Sequence, residues 1–223
     1  MTRFGILAVC TGNVHRSPLA AVMIDRWARW YLPAELSDRV SVASAGTGAP
    51  VGAPMGSRPL AIAAALGADG RAHRATQLSD DALVAADLVL VASRLHRDQV
   101  LSQVPSAMRR TFTFREAGRI AERLQPRRLD TVADLRAVVA ALAEGRSAVA
   151  APGAEDDVID PQGLGDDAYR QMAAQEVPAL ASLAAVLLGM PPGDQAAYRY
   201  TARESALLSS VDGASGSVDG ADR

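Results

Sequence analysis

A single cysteine, Cys10, is followed six positions later by Arg16 and then by Ser17, in the stretch Val9-Cys10-Thr11-Gly12-Asn13-Val14-His15-Arg16-Ser17-Pro18. Only the thiolate form of a cysteine is a good nucleophile. A free thiol titrates near about 8.5, and a helix N-terminus or a neighbouring cation lowers that value. The apolar run Phe4–Val9 before the stretch reads as a buried strand, and the pattern from Pro18 to Trp30 reads as a helix. The thiol therefore stands where a strand hands over to a helix. Unpaired N–H groups and the positive end of the helix dipole collect an anion at such a place. Gly12 and Asn13 are residue types that tolerate the left-handed backbone of a tight anion-binding turn. Arg16 adds a planar fork suited to two oxygens of one phosphoryl group. Ser17 is expected as the helix N-cap with Pro18 at the first helical position, and its hydroxyl could reach back to the thiolate. A structural cysteine ahead of an ordinary capped helix is the bland alternative, and the context of strand, thiol, arginine and helix argues against it.

Taken with four later segments, Cys10-Thr11-Gly12-Asn13-Val14-His15-Arg16-Ser17-Pro18 resembles the phosphate loop of the low-molecular-weight protein tyrosine phosphatases. Val42-Ala43-Ser44-Ala45-Gly46-Thr47 is similar to that family's second strand and turn. Ala72-His73-Arg74-Ala75 is similar to its histidine segment, and Ala85 to Val91 to its central strand. Val158-Ile159-Asp160-Pro161 resembles its Asp-Pro loop, and the motifs run in the family's order over most of residues 3–188. The resemblance implies a cysteine-dependent phosphatase that hydrolyses phosphomonoesters, protein phosphotyrosine foremost, through a phosphocysteine intermediate. It implies Cys10 as nucleophile, Arg16 as phosphate clamp and Asp160 as general acid. The loop from Thr11 through Gly12, Asn13, Val14, His15 and Arg16 to Ser17 would bind the phosphoryl oxygens. It further implies that Asn13, Ser17, Ser44 and His73 tie that loop down by hydrogen bonds. Neither a metal nor a cofactor is called for.

The acid is the least settled assignment. Asp160 stands beside Glu155, Asp156 and Asp157, and on residue types alone it could be a solvated loop carboxylate. The order of the motifs favours Asp160, with Asp157 next. His15 is expected to contribute only its backbone N–H, and His96, in a run of charged residues, carries no assignment. Tyrosine-specific relatives flank the pocket with aromatic rings. This chain has Gln162-Gly163-Leu164 after the Asp-Pro pair and Gly48-Ala49-Pro50-Val51 after the second strand. Tyr169 or Phe114 could supply a ring instead. Three alternatives stand beside the main reading. One is an arsenate reductase using an external low-molecular-weight thiol, since one cysteine cannot run an internal disulfide relay. Another is a phosphoarginine phosphatase, a branch that places Thr where Val14 stands. The last is a non-catalytic phosphate- or phosphoprotein-binding module.

Composition bounds the partners. Net charge is −2, from 23 basic against 25 acidic residues, which suits no nucleic-acid surface. No apolar stretch approaches the roughly 20 residues of a membrane span. One cysteine excludes an internal disulfide, and with no room for a signal segment before the loop a cytoplasmic location is expected. The partner expected is thus a phosphorylated protein or a small phosphomonoester.

The elements that must hold these residues alternate. Strands are expected at Phe4–Val9, Val40–Ala45, Leu88–Ala92 and Thr111–Phe114, and helices at Pro18–Trp30, Arg58–Leu66, Asp80–Ala86 and 94–103. Such alternation implies an α/β fold, a single-domain three-layer sandwich with a central parallel sheet and helices on both faces, the phosphate loop following the first strand. In such sheets sites lie at the carboxyl ends of strands, where Cys10 falls. The domain is expected over residues 1–190, with a helical insertion at about 115–150 lying on the surface near the rim of the site. Asp166 to Leu188 reads as a closing helix that Pro178 kinks or interrupts. Residues 191–223, with the near-repeat Ser210-Val211-Asp212-Gly213-Ala214 and Ser217-Val218-Asp219-Gly220-Ala221, read as a disordered tail.

Overall fold

A computed structural model describes residues 2–149 and 153–203. Four parallel strands form its sheet in the order β2 (Val40–Gly46), β1 (Phe4–Cys10), β3 (Leu88–Val91), β4 (Thr111–Thr113). The register runs Phe4 against Val40 to Cys10 against Gly46 on one side of β1, and Ile6 against Leu88 to Val9 against Val91 on the other. With β1 central, Cys10 emerges at the carboxyl edge between two neighbouring strands.

Both faces of the inner strands are covered, so β1 and β3 are apolar throughout, whereas the edge strands carry Ser41, Ser44, Thr111 and Thr113. Phe4, Ile6, Ala8 and Cys10 enter one core, while Leu7 and Val9 enter the other, as the period of two requires. The smaller core is closed by α4 (Asp80–Ala85) and α5 (Arg94–Gln103). The larger is closed by α1 (Arg16–Tyr31), α3 (Ser57–Ala65), α6 (Phe114–Ala121), α7 (Val132–Gly145) and α8 (Asp166–Leu187); the short α2 (Ala34–Ser37) adds Leu36. On α1 the stripe Leu19, Met23 and Trp27 is wholly buried. Each such side chain contributes roughly 1.5–3 kcal/mol of burial. That stripe fixes the direction in which α1, and the loop before it, leaves the sheet.

Several expectations are corrected. The 115–150 region is helical, but its helices are not a surface addition at the rim of the site. Val132, Leu135, Val138, Val139 and Leu142 of α7 enter the larger core. Arg136 of α7 pairs with Asp87 at 2.8 Å and donates to the Arg3 carbonyl, so α7 lies at the amino ends of β1 and β3, away from Cys10. α6 packs so closely on α8 that a Cβ at Gly118 would sit 2.7 Å from the Ala179 carbonyl oxygen. Phe114 is not strand but the first residue of α6, capped by the reciprocal Thr113–Glu116 pair. Of the two outcomes expected at Pro178, an interruption does not occur: α8 is one helix from Asp166 to Leu187. Finally, the tail does not begin at 191: α9 (Pro192–Arg203) is a helix whose Tyr198 meets Trp27 edge-on at 5.0 Å and whose Asp194 accepts from the Tyr31 hydroxyl at 2.8 Å. The near-repeat at 210–222 lies outside the described residues.

Candidate active site

The loop 11–15 joins β1 to α1 in a turn made possible by one left-handed residue, Asn13, with φ of +52°. Gly12 does not share that conformation, contrary to expectation. Asn13 is fully buried, and its amide is the hub of the loop. Its Nδ2 donates to Ser17 Oγ at 2.9 Å and to Ser44 Oγ at 2.8 Å, and its Oδ1 accepts from the Thr76 N–H at 2.8 Å. His73 Nε2 donates to the Asn13 carbonyl at 2.7 Å. The four residues expected to brace the loop, Asn13, Ser17, Ser44 and His73, therefore form one connected network. β2 presses in beneath it: a Cβ at Gly46 would collide with the Thr11 carbonyl oxygen and lie 3.0 Å from the Asn13 nitrogen, so only glycine fits.

Cys10 Sγ receives the Asn13 N–H at 3.3 Å and lies 3.0 Å from Ser17 Oγ. Ser17 is not the N-cap. α1 begins at Arg16, with His15 in the cap position and no side chain capping it. Among the described residues no backbone oxygen takes the N–H groups of Gly12, Val14 or His15. A capping side chain would occupy the donors that an anion would otherwise find.

Arg16 is 4% exposed. One arm pairs with Asp160 Oδ2 at 2.6 Å and the other donates to the Val158 carbonyl at 3.3 Å. Cys10, Thr11, Gly12, Val14, His15, Arg16 and Asp160 thus line one cavity of about 240 Å³, together with Pro50 and Gln162. A wider groove of about 650 Å³ lies between α1 and the free edge of β2, on the other side of Asn13, and holds none of Cys10, Arg16 or Asp160.

The loop that carries Asp160 is fastened by cations. Asp156, fully buried, pairs with Arg119 at 2.8 Å. Asp157 accepts from the Arg94 N–H at 2.7 Å and its carbonyl takes Arg115. The Val158 N–H reaches the Ala92 carbonyl at the end of β3, and Gln175 takes the Ile159 N–H. Asp156 and Asp157 are therefore engaged in holding the loop, while Asp160 faces the cavity.

Two aromatic substitutes fail. Phe114 is wholly buried, and Tyr169 is 6% exposed with its hydroxyl 3.2 Å from His15 Nε2. Among the described residues no Phe, Tyr or Trp lines the cavity. The His15 side chain, given no part by the sequence, does line it, and burial holds its pKa below the ordinary value, opposed by Asp160 and helped by Arg16. His73 is lowered chiefly by burial as well. His96 was missed altogether. It is buried, not on a charged surface. Its Nε2 lies 2.9 Å from Thr11 Oγ1 and its Nδ1 2.8 Å from Ser93 Oγ, and burial, with Arg16 nearby, pushes its pKa down to about 4. The available signal was Ser93, an N-cap directly after β3, with His96 three residues on. Glu176 on α8 was also missed. It is fully buried without a hydrogen-bond partner, and its carboxyl is held well above the usual range by burial, against the pull of Arg16.

The low molecular weight phosphotyrosine protein phosphatase family matches residues 5–142 of this chain. The chain belongs to that family. A relative from Ralstonia nicotianae named probable low molecular weight protein-tyrosine-phosphatase EpsP is 36% identical over 111 residues, which are 50% of this chain and 70% of the relative. The protein-arginine-phosphatase of Geobacillus stearothermophilus is 33% identical over 51% of this chain and 70% of its own length. Among solved structures, the low molecular weight protein tyrosine phosphatase from T. tengcongensis shares 26% identity at a TM-score of 0.56, over 81% of this chain and 97% of that one. Membership makes this chain a phosphoric monoester hydrolase of the phosphatase type. The family match stops before Asp160. Among the described residues no helix is long and apolar enough to cross a membrane.

Proposed function

We propose that this phosphatase works through Cys10 on phosphomonoesters, with protein phosphotyrosine as the substrate class. Cys10 Sγ attacks phosphorus in line with the ester oxygen. The S–P bond forms as the P–O bond breaks, giving a phosphocysteine. The loop N–H groups and the Arg16 guanidinium hold the three equatorial oxygens, whose charge is spread through a loose transition state. Asp160 gives its proton to the departing oxygen, then takes one from the water that cleaves the S–P bond. Asn13, Ser17, Ser44 and His73 keep the loop in shape between turnovers. Ser17 is placed to donate to the thiolate when Cys10 is released.

The observation that carries this reading is one cavity holding Cys10 Sγ, Arg16 and Asp160, with Arg16 and Asp160 in contact at 2.6 Å. A binding module would need neither the sulfur nor the acid. A second reading, phosphoarginine as substrate, is favoured by the arginine phosphatase among the relatives and by a cavity lining that, among the described residues, holds no Phe, Tyr or Trp. The test is turnover of a phosphotyrosine peptide, an aryl phosphate, a phosphoarginine peptide and arsenate with external thiols, wild type beside Cys10→Ser. Turnover of phosphotyrosine over phosphoarginine that vanishes in Cys10→Ser is expected. Preference for phosphoarginine or arsenate would replace the substrate assignment, and turnover surviving in Cys10→Ser would remove the nucleophile.

A further inference from the structure

The Asn13 network braces the phosphate loop from the side of β2. From the opposite side the loop meets a second row of groups that no step above uses. Ser93 Oγ, His96 Nδ1, His96 Nε2 and Thr11 Oγ1 follow one another at 2.8 and 2.9 Å across the ring. Ser93 stands at the end of β3 and His96 is 3% exposed. Thr11 is exposed, and it lines the cavity with Cys10, Arg16 and Asp160. The row therefore leads from the core to the reacting centre.

A neutral imidazole donates from one nitrogen and accepts at the other, so the row has two arrangements. In the first, the Ser93 O–H donates to Nδ1 and Nε2–H donates to Thr11 Oγ1. Ser93 Oγ then still accepts the His96 backbone N–H at 3.4 Å as helix cap. Every group of the row is satisfied inside the protein except one, the proton of the Thr11 hydroxyl, which is left on the cavity side. In the second arrangement Nδ1–H donates to Ser93 Oγ. That oxygen then receives two N–H donors while its own proton has no protein acceptor, and Thr11 commits its proton to the histidine. The first arrangement is the better satisfied one. Burial and the guanidinium of Arg16 disfavour a doubly protonated ring and so keep it neutral, the condition both arrangements share.

We propose that His96 is a positioning residue, fixed in its Nε2–H form, that turns the Thr11 hydroxyl proton into the cavity as a donor to an oxygen of the bound phosphoryl group. This rests on the phosphatase reading of the cavity. It adds a side-chain donor to the backbone N–H groups and Arg16, on the side of the loop facing the acid. The loop is then braced from both sides, by Asn13 and by His96.

Two measurements test it. The first is the long-range ¹⁵N–¹H spectrum of the histidine rings at pH 7, with inorganic phosphate and without. His96 is expected neutral with its proton on Nε2 in both; a proton on Nδ1 would overturn the proposal. The second is the affinity for inorganic phosphate in the Cys10→Ser background, where no turnover intervenes. Thr11→Val is expected to weaken it by roughly ten- to a hundredfold, the worth of one hydrogen bond to a charged oxygen. Thr11→Ser is expected to restore it. His96→Gln keeps a donor near the position of Nε2 and is expected to bind phosphate close to the parent, whereas His96→Leu should follow Thr11→Val. Melting curves identify any variant that fails to fold, and the ring spectrum of the parent then carries the test. A folded Thr11→Val that binds phosphate as tightly as its parent refutes this proposal alone, while a parent protein that binds no phosphate removes the phosphatase reading beneath it.

Discussion

Changing Asp160 to Asn should move binding and catalysis in opposite directions. In the empty cavity Arg16 is already occupied: its guanidinium pairs with Asp160 at 2.6 Å, and the two side chains are 5% and 46% exposed. A phosphoryl group entering the cavity must share or displace that pair, and it meets the carboxylate's negative charge as well. The pair is half open to water, so its worth is discounted to about 1 kcal/mol. Asp160→Asn removes it while keeping the shape of the side chain. Inorganic phosphate and vanadate should then inhibit about fivefold more tightly, since 1.36 kcal/mol is about tenfold. The same change removes the proton donor, so hydrolysis of phenyl and alkyl phosphates should slow by roughly 10²–10⁴-fold. Esters with very acidic leaving groups, which depart without a proton, should slow much less. The assay is rate against leaving-group pKa for both proteins, together with the phosphate inhibition constant. Equal slowing of all esters, or weaker phosphate binding in the variant, would refute the reasoning.

Other outcomes follow from the same geometry. Asp157→Asn should cost less than about 1 kcal/mol of stability, because an amide oxygen still accepts the Arg94 N–H at 2.7 Å and only a solvent-exposed ion pair is lost, and it should leave the leaving-group dependence as in wild type; a steeper dependence would move the acid to 157. Asn13→Ala should cost roughly 3 kcal/mol in urea unfolding, since it strands the hydroxyls of Ser17 and Ser44 and the Thr76 N–H and puts an alanine at a φ of +52°; a loss below about 1 kcal/mol would show that the network is not what holds the loop. His96 titrates near 4 when folded and near 6.5 when unfolded, so the unfolded chain binds its proton first. Stability should therefore be full above about pH 6.5 and fall by up to roughly 3 kcal/mol as pH drops towards 4, a slope that His96→Gln flattens. Glu176 has the opposite sign: its raised pKa means stability is lost as pH climbs above the unfolded carboxyl value, and Glu176→Gln should make the protein more stable on the alkaline side. The two slopes oppose each other between about pH 4.5 and 6.5, so unfolding free energies from pH 4 to 9 are compared in wild type, His96→Gln and Glu176→Gln, and a variant whose profile matches that of wild type would contradict its assignment.

What could be read from the sequence was what the chain does locally. Cys10, Arg16 and the glycine and asparagine between them lie within one turn, so residue types and spacing describe the site without the fold. Strands such as Leu88–Val91 announce themselves because burial on both faces leaves no polar position. What was hidden depends on partners distant in the chain. His96 sits among charged residues and looks solvated, until α5 is set against the loop and turns that one side chain inward to Thr11. Phe114 and Tyr169 looked free to flank the pocket, but α6 and α8 take both rings for packing. α9 carries few large apolar residues, and it is held by packing on α8, by Ala202 in the core and by two tyrosine contacts with α1, all invisible to a periodicity count. Pro191-Pro192 followed by Asp194 was the start signal that could have revealed it. Ser17 followed the propensity of a cap residue, but the site uses its hydroxyl on Cys10 and leaves the helix donors open.

The central claim is that Cys10 becomes the phosphoryl carrier. Rapid mixing with an aryl phosphate, acid quench and peptide mapping by mass spectrometry tests it directly, run alongside the time course of the released phenol. A burst near one equivalent per protein, with one phosphoryl group on the peptide containing Cys10 and none in Cys10→Ser, is the predicted result. Steady release without a burst together with no labelled peptide, or a phosphoryl group carried by His15 instead, would contradict the account.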